Sequence, residues 1–388
     1  MIPYGRQDVQ DSDIEAVEEV LRSDFLTQGP AVPMFERAVA QRSGAKFGVA
    51  CNSATSALHI ACLALKLAPG RRLWTVPNTF VASANCARYC GADVDFIDID
   101  PVTWNLSVPA LRDRLARAKI GGTLPQVVVP VHFAGQPTDQ QAIWELAQEY
   151  GFRVVEDASH SIGAARNGEP VGSCRWSDIT VFSFHPVKII TSGEGGMALT
   201  NDPALAECMS MFRSHGITRD PAKFRDQTAA GDAWYYEQQI LGLNYRMTDL
   251  QAALGASQLK RLEDYVGRRN CLAQRYASLL GDLPLRLPVV VTGNRSAFHL
   301  YVIRLQGVMA HSRRRIFDQL RGSGIGVNVH YLPVHLQPYY RDLGFGPGWC
   351  PEAEAHGREA ITLPLHALLT EADQDKVIAS VRQAISSA

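Results

Sequence analysis

The chain has 388 residues, of which 46% are apolar and 20% charged, with a formal net charge of -1. Such a chain buries a large core without disulfide or metal staples, and its high apolar content and low charge exclude disorder as the dominant state. Near-neutrality also argues against a nucleic-acid-binding protein, which carries a basic excess.

The first residues, MIPYGRQDVQDSD, contain no basic region followed by an apolar run, so no signal peptide is expected. No apolar stretch reaches about 18 residues, so no membrane span is expected either. From there strand-like and helix-like segments alternate. Strands are predicted over 45–51, 72–77, 93–98, 126–132, 152–157, 178–184 and 196–200, each short, rich in β-branched or aromatic residues, and bounded by Gly, Pro, Asp or Asn. Helices are predicted between most of them. The segment 53–67 puts Ala57, Ile60, Leu63, Ala64 and Leu67 on one face, and 138–151 has Thr138 as a candidate N-cap and ends at Gly151. The alternation predicts an α/β protein with a mostly parallel, seven-stranded sheet covered on both faces. Only a short stretch without helical periodicity joins the last two strands, so these are expected to pair antiparallel at one side.

Beyond residue 247 the pattern changes. A long helix is predicted over 248–280, a polar loop over 281–297, strands over 299–305 and 324–332, and helices around 311–322 and 370–386. The expected organisation is a large domain, 1–247, and a smaller α+β domain, 248–388, with the N-terminal segment packing on the latter. The eight cysteines include no CxxC pair, which leaves a metal site unsupported; most sit in apolar runs and read as buried thiols of a reducing cytoplasm.

Open α/β sheets bind ligands beyond the C-terminal ends of their strands. Four segments there are chemically notable. Asn52-Ser53-Ala54-Thr55-Ser56 opens a helix and offers N–H groups and hydroxyls suited to a phosphate. Pro77-Asn78-Thr79-Phe80 supplies an aromatic plate. Glu156-Asp157-Ala158-Ser159-His160 supplies a carboxylate able to hold a protonated nitrogen. Ser183-Phe184-His185-Pro186-Val187-Lys188 supplies a lysine whose amine becomes a Schiff-base nucleophile when desolvated. Each alone has an ordinary reading: a helix cap, a core aromatic, a structural acid, a solvated lysine. Together they match the requirements of pyridoxal 5′-phosphate, namely phosphate anchor, ring stack, pyridinium partner and lysine.

Ordered motifs along nearly the whole chain carry a resemblance. They are LTQGPAVPMFE (26–36), CNSATSALH (51–59), EDASHSIGA (156–164), SFHPVKIITSGEGG (183–196), FRSHGI (212–217), LNYRMTDLQAALG (243–255), VHYLP (329–333) and LPLH (363–366). In these the chain resembles the DegT/DnrJ/EryC1/StrS family of sugar aminotransferases, and within it the branch serving pseudaminic-acid biosynthesis. The resemblance implies fold type I of the pyridoxal-phosphate enzymes, the aspartate-aminotransferase fold. It implies transfer of an amino group, with glutamate as donor, to C4 of a UDP-linked 4-keto-6-deoxy-N-acetyl sugar, in a cytoplasmic homodimer with shared active sites and no nucleic-acid or membrane partner. Lys188 matches the lysine that carries the cofactor as a Schiff base, and Asp157 the carboxylate facing the pyridine nitrogen. Phe80 matches the ring-stacking aromatic. Ala54, Thr55 and Ser183 match phosphate contacts, and Asn244 the asparagine that reaches the neighbouring subunit's cofactor. His160 stands where many members carry Gln near the ring hydroxyl. Tyr4, Thr27, His185, His215, His330 and Tyr331 lie in motifs that border the sugar-nucleotide cleft, Arg213 and Arg246 suit a diphosphate or a donor carboxylate, and no role is derived for Glu194. In a branch that removes a sugar hydroxyl the lysine is histidine, so Lys188 favours transamination. Within the family the alternative is another keto sugar (perosamine, bacillosamine-type or 3-keto). A non-catalytic regulator on the same fold is the reading from another class, and retention of Lys188 and Asp157 weighs against it.

Overall fold

The computed structural model describes residues 1–229 and 231–387. Each of the seven predicted strands contains an observed one: β1 (Phe47–Cys51), β2 (Arg72–Thr75), β3 (Asp93–Phe96), β4 (Val127–Val129), β5 (Arg153–Asp157), β6 (Ile179–Ser183) and β7 (Gly196–Thr200). They form one sheet in the order β1-β7-β6-β5-β4-β2-β3. β2 to β6 run parallel. β7 is antiparallel to its neighbours β6 and β1. Residues 184–195, which connect β6 to β7, hold no helix, so β7 must return in the opposite sense. The antiparallel pairing is as expected but its place is not. β7 lies inside the sheet with β1 beyond it, and all five of its residues are buried, as an interior strand requires.

Helices cover both faces. α3 (Ala54–Ala64) is capped by Ser53, whose hydroxyl accepts from the Ser56 N–H, and packs among α4 (Ala82–Tyr89), α7 (Pro203–Arg213) and the sheet. Burial on every side leaves it almost no polar face. α6 (Gln140–Tyr150) ends at Gly151 in the left-handed region (φ 77°), as expected, but its cap is Asp139 rather than Thr138. Thr138 is buried, and its N–H donates to His132 Nδ1 at 3.0 Å.

The predicted 248–280 helix is two. α8 (Asp249–Leu259) starts in a capping box between Thr248 and Gln251 and packs on α1 (Asp11–Leu21) and α2 (Ala31–Ser43). α9 (Leu262–Leu280) starts after Arg261, whose backbone is non-helical and whose guanidinium binds the buried Asp13 at 2.6 Å. At the crossing with α2, a Cβ on Gly255 would lie 2.6 Å from the Phe35 ring, so only glycine allows that approach.

The C-terminal part has its own core around Tyr276, Tyr301, Ile303 and Val377, and a three-stranded antiparallel sheet of Leu285–Arg286, Tyr301–Leu305 and Ala360–Leu363. Two expectations are corrected here. Residues 324–332 form no strand, only single bridges from Ile325 to Ile2 and from Asn328 to Thr362; Ala360–Leu363 takes the third place. Residues 281–297, read as a loop, contribute Leu285–Arg286 and Asn294–Arg295 as short strands. The chain's first residues lie along this part: Gly326 N donates to the Ile2 carbonyl at 2.7 Å and Leu365 N to the Tyr4 carbonyl at 3.0 Å. No helix among the described residues is long and apolar enough to cross a membrane.

Candidate active site

A cavity of about 1100 Å³ opens where the parallel strands end, and the 328–332 segment of the C-terminal part closes its far wall. Ala54, Thr55, Phe80, Asp157, His160, Ser183 and Lys188 all line it, as do Tyr4, His185, His330 and Tyr331. Residues from distant stretches of chain converge here because β1, β2, β5 and β6 all run toward this edge.

The floor is built from the starts and ends of elements. Ala54 and Thr55 occupy the first turn of α3, where N–H groups have no intrahelical acceptor. Ser53, Ser56 and Asn52 brace that turn: the Ser53 and Ser56 hydroxyls lie 3.0 Å apart, and Ser56 Oγ donates to Asn52 Oδ1 at 2.7 Å. The first residue of β7 makes the close fit possible, since a Cβ on Gly196 would lie 2.4 Å from Ala54 N. Gly196→Ala is therefore expected to push the α3 start out of place. The expected result is a loss of about 1–3 kcal/mol in stability and weaker retention of any phosphate-bearing ligand, read by urea unfolding and ligand titration.

Asp157 is the last residue of β5 and is 5% exposed. Its Oδ2 accepts from Ser83 Oγ at 2.6 Å and its Oδ1 from Ser159 N at 3.1 Å. Ser83, buried on α4, lies 2.7 Å from Thr79 Oγ1, so two hydroxyls in series steady the carboxylate. Lys188 sits in the turn after β6, its N–H donating to the His185 carbonyl at 2.9 Å. Burial pushes its amine down to about 8, while the charge of Asp157 pulls the other way. Its neutral form, the state a nucleophile or proton acceptor needs, is thus more accessible near neutrality than in an ordinary lysine, by on the order of 10²-fold, although the charged form still predominates.

The wall opposite is aromatic and uncharged. His160 Nδ1 accepts from Ala134 N at 3.3 Å, which leaves the proton on Nε2, 3.2 Å from the Tyr331 hydroxyl. Its ring centroid lies 4.5 Å from that of His299. Burial first, and then the Lys188 charge, hold both histidines neutral, far below their usual range. His330, pushed down to about 3 by burial and by Lys188, meets Thr362 Oγ1 at 2.8 Å and packs on the Tyr4 ring. Phe80 stands at the mouth with 60% of its surface exposed.

Five predicted residues, Thr27, Arg213, His215, Asn244 and Arg246, are not among those lining this chain's cavity. Thr27 is exposed and bridges to Thr248; His215 is exposed in the left-handed region; Asn244 is exposed and bridges to Ser214. Asn244 nevertheless adjoins the rim, because the next residue's carbonyl accepts from Asn52 N at 2.9 Å. Arg213 is engaged inside the chain, bound to Glu36 at 2.5 Å and to the Ala50 carbonyl at 2.9 Å. Arg246 pairs with Cys51 through its backbone. Glu194 is on the rim, 3.9 Å from His185, and its carbonyl accepts from Gln251.

Sequence reasoning missed Ser83 and His299. Ser83 carried no signal beyond a small residue on a helix, whereas a histidine at the start of the predicted strand 299–305 was a usable sign for His299. It also gave no role to Glu156, which points away from the cavity into a polar knot. There it accepts from Gln140 at 2.6 Å, Thr180 at 2.6 Å and Ser177 at 3.1 Å, with His132 Nε2 at 3.4 Å. Burial raises its pKa, but His132 and these donors outweigh it and hold the carboxyl below its ordinary range. Glu156→Ala would strand all four partners, and a loss of about 3–5 kcal/mol is expected in urea unfolding.

The donor set fits pyridoxal 5′-phosphate: N–H groups and hydroxyls at a helix start, a buried carboxylate and a lysine with a depressed pKa share one cavity. Comparison with known proteins agrees. The profile of the DegT/DnrJ/EryC1/StrS aminotransferase family matches residues 7–382. The GDP-perosamine synthase of Caulobacter vibrioides is 36% identical, covering 92% of this chain and 91% of that one. The structure of Helicobacter pylori PseC, an aminotransferase involved in the biosynthesis of pseudaminic acid, superposes with a TM-score of 0.90 at 30% identity over 100% of both chains. The PLP form of the sugar aminotransferase Spr1654 of Streptococcus pneumoniae superposes with a TM-score of 0.89 at 27% identity, over 100% of this chain and 99% of that one. The chain belongs to the DegT/DnrJ/EryC1/StrS aminotransferase family, sugar aminotransferases dependent on pyridoxal 5′-phosphate.

Proposed function

We propose that this enzyme moves an amino group from glutamate to C4 of a UDP-linked 4-keto-6-deoxy-N-acetylhexosamine, as in the pseudaminic-acid branch. The observation that carries the reading is the convergence of Lys188 and Asp157 in a cavity of about 1100 Å³, a volume beyond the usual range for a drug-sized ligand. That volume suits a cofactor and a sugar nucleotide together, and the likeness to PseC over the whole chain supports the choice of sugar.

Bound pyridoxal 5′-phosphate supplies an electron sink for the carbon that loses its proton. Lys188 would hold the cofactor, and its Nζ, with a pKa lowered to about 8, would take the donor's α-proton and later deliver a proton at sugar C4. Asp157, steadied by Ser83 and Ser159, would keep the pyridine nitrogen protonated, because an adjacent negative charge favours the charged form. The N–H groups of Ala54 and Thr55 and the Ser183 hydroxyl would hold the phosphate, and Phe80 and His160 would flank the ring. Tyr4, His330 and Tyr331 wall the sugar-nucleotide side, with His185 at its rim. Thr27, His215 and Asn244, turned away from this chain's cavity, act across a subunit contact, with Asn244 at the neighbour's phosphate; the working unit is a homodimer. Eight free thiols fit a cytoplasmic setting.

A second reading has a specific observation behind it. The perosamine synthase is 36% identical, above the 30% of PseC, which favours a GDP-linked keto sugar. Mass spectrometry of products from a panel of UDP-, GDP- and dTDP-linked keto sugars with glutamate decides between them. Amination of the UDP sugar is expected. Amination of the GDP sugar alone moves the assignment to the second reading, and no amination of any sugar overturns both.

A further inference from the structure

Arg269, on α9, carries a buried positive charge for which the described residues supply no counter-ion. Only 2% of its surface is exposed. Its Nη1 donates to the Leu365 carbonyl at 2.8 Å and to the Phe298 and His299 carbonyls at 3.2 Å each. Its Nε is buried without a partner, and burial, opposed by no carboxylate among the described residues, pushes the guanidinium down to about 10. Arginine is almost never fully buried unless paired, because an uncompensated interior charge is costly. Arg269 also borders a second cavity, of about 10 Å³, which is room for one water or one monatomic ion. Lys188, Ile189 and Thr191, from the turn after β6, line the same space. Its charged residues are Arg6, Lys188 and Arg269 against one carboxylate, Asp8. Asp8 is already engaged, accepting from Gln10 Nε2 at 2.9 Å and from the Tyr265 hydroxyl at 3.2 Å. His366, next in the chain to Leu365, is 4% exposed and has neither ring nitrogen partnered. Burial, and then the charges of Arg269 and Arg6, hold it down to about 4, so the surroundings are electropositive.

We propose that this second cavity is a binding site for one monatomic anion, a halide such as chloride, held by Arg269. The three carbonyls occupy Nη1, so the edge left for a ligand is Nε with Nη2, two N–H groups in the fixed fork that suits an anionic acceptor. Water would satisfy the Nε proton but not the charge; an anion does both. The small volume leaves no room for a polyatomic anion such as phosphate. The ion joins α9 to the turn that carries Lys188, and because it binds the folded chain and not the unfolded one, it raises stability. This site is independent of which sugar the enzyme aminates.

The test begins with crystals of the holoenzyme grown with sodium bromide in place of chloride. An anomalous scattering peak is expected within hydrogen-bonding distance of Arg269 Nε. Bromide bound only elsewhere, or density at Arg269 without an anomalous signal, overturns the proposal. In solution, replacing gluconate, which is too large for the cavity, by chloride at constant ionic strength should raise the thermal midpoint of the holoenzyme saturably, by about 2 °C. Arg269→Met, similar in length but uncharged, should lose that rise, while Arg268→Met, at the next position, should keep it. An unchanged midpoint in the unaltered enzyme, or an equal chloride response in Arg269→Met, overturns the proposal. Should Arg269→Met fail to fold, the bromide crystal of the unaltered enzyme decides alone.

Discussion

Lys188→Ala is expected to reduce amine transfer by more than about 10⁴-fold, because in the proposed mechanism one side chain both attaches the cofactor and carries the proton. The fold should survive. Lys188 stands in a turn whose backbone bond to His185 does not depend on its side chain, and its desolvated amine costs stability rather than adding it. Lys188→Arg keeps a positive charge but offers no nucleophilic amine, so it should fail equally. Single-turnover product formation, with urea unfolding as the control for folding, checks both variants. Near-normal transfer by either contradicts the assignment.

The second large effect is expected at Asp157. Asp157→Asn keeps the shape and leaves an oxygen for the Ser83 hydroxyl, but it removes the charge proposed to hold a proton on the pyridine nitrogen. Turnover should fall by about 10²–10³-fold, as when a preorganised electrostatic contact is lost. Binding of the cofactor should weaken as well. A kcat within threefold of the unaltered enzyme would show that the carboxylate does not serve the ring. The contrast with Glu156, its neighbour on the same strand, is a useful control: alternation turns that carboxylate into the core, so its loss should lower stability instead.

Much of this site was legible because strand ends are marked locally. Asp157, Ser183 and Lys188 each follow a short β-branched run, and open α/β sheets gather such residues at one edge. What the sequence did not reveal depends on contacts distant in the chain. The interior place of β7 follows from pairing with β1, which no local pattern encodes. The break between α8 and α9 has no glycine or proline to mark it; Arg261 leaves the helix to reach Asp13. The stretch GIGVNVHYL alternates like a strand, yet its bridges go to Ile2 and Thr362 singly, and its end lines the cavity instead. Thr138 was an acceptable cap by type, but burial beside His132 took it and left the role to Asp139. Ser83 was illegible for the same reason: only the packing of α4 against β5 brings its hydroxyl to Asp157.

The most direct test of the account is borohydride reduction of the purified yellow holoenzyme followed by peptide mapping. The account predicts a pyridoxyl group fixed irreversibly on Lys188, with loss of the yellow colour. A pyridoxyl group on a different lysine, or a protein that cannot be loaded with pyridoxal 5′-phosphate at all, would contradict it.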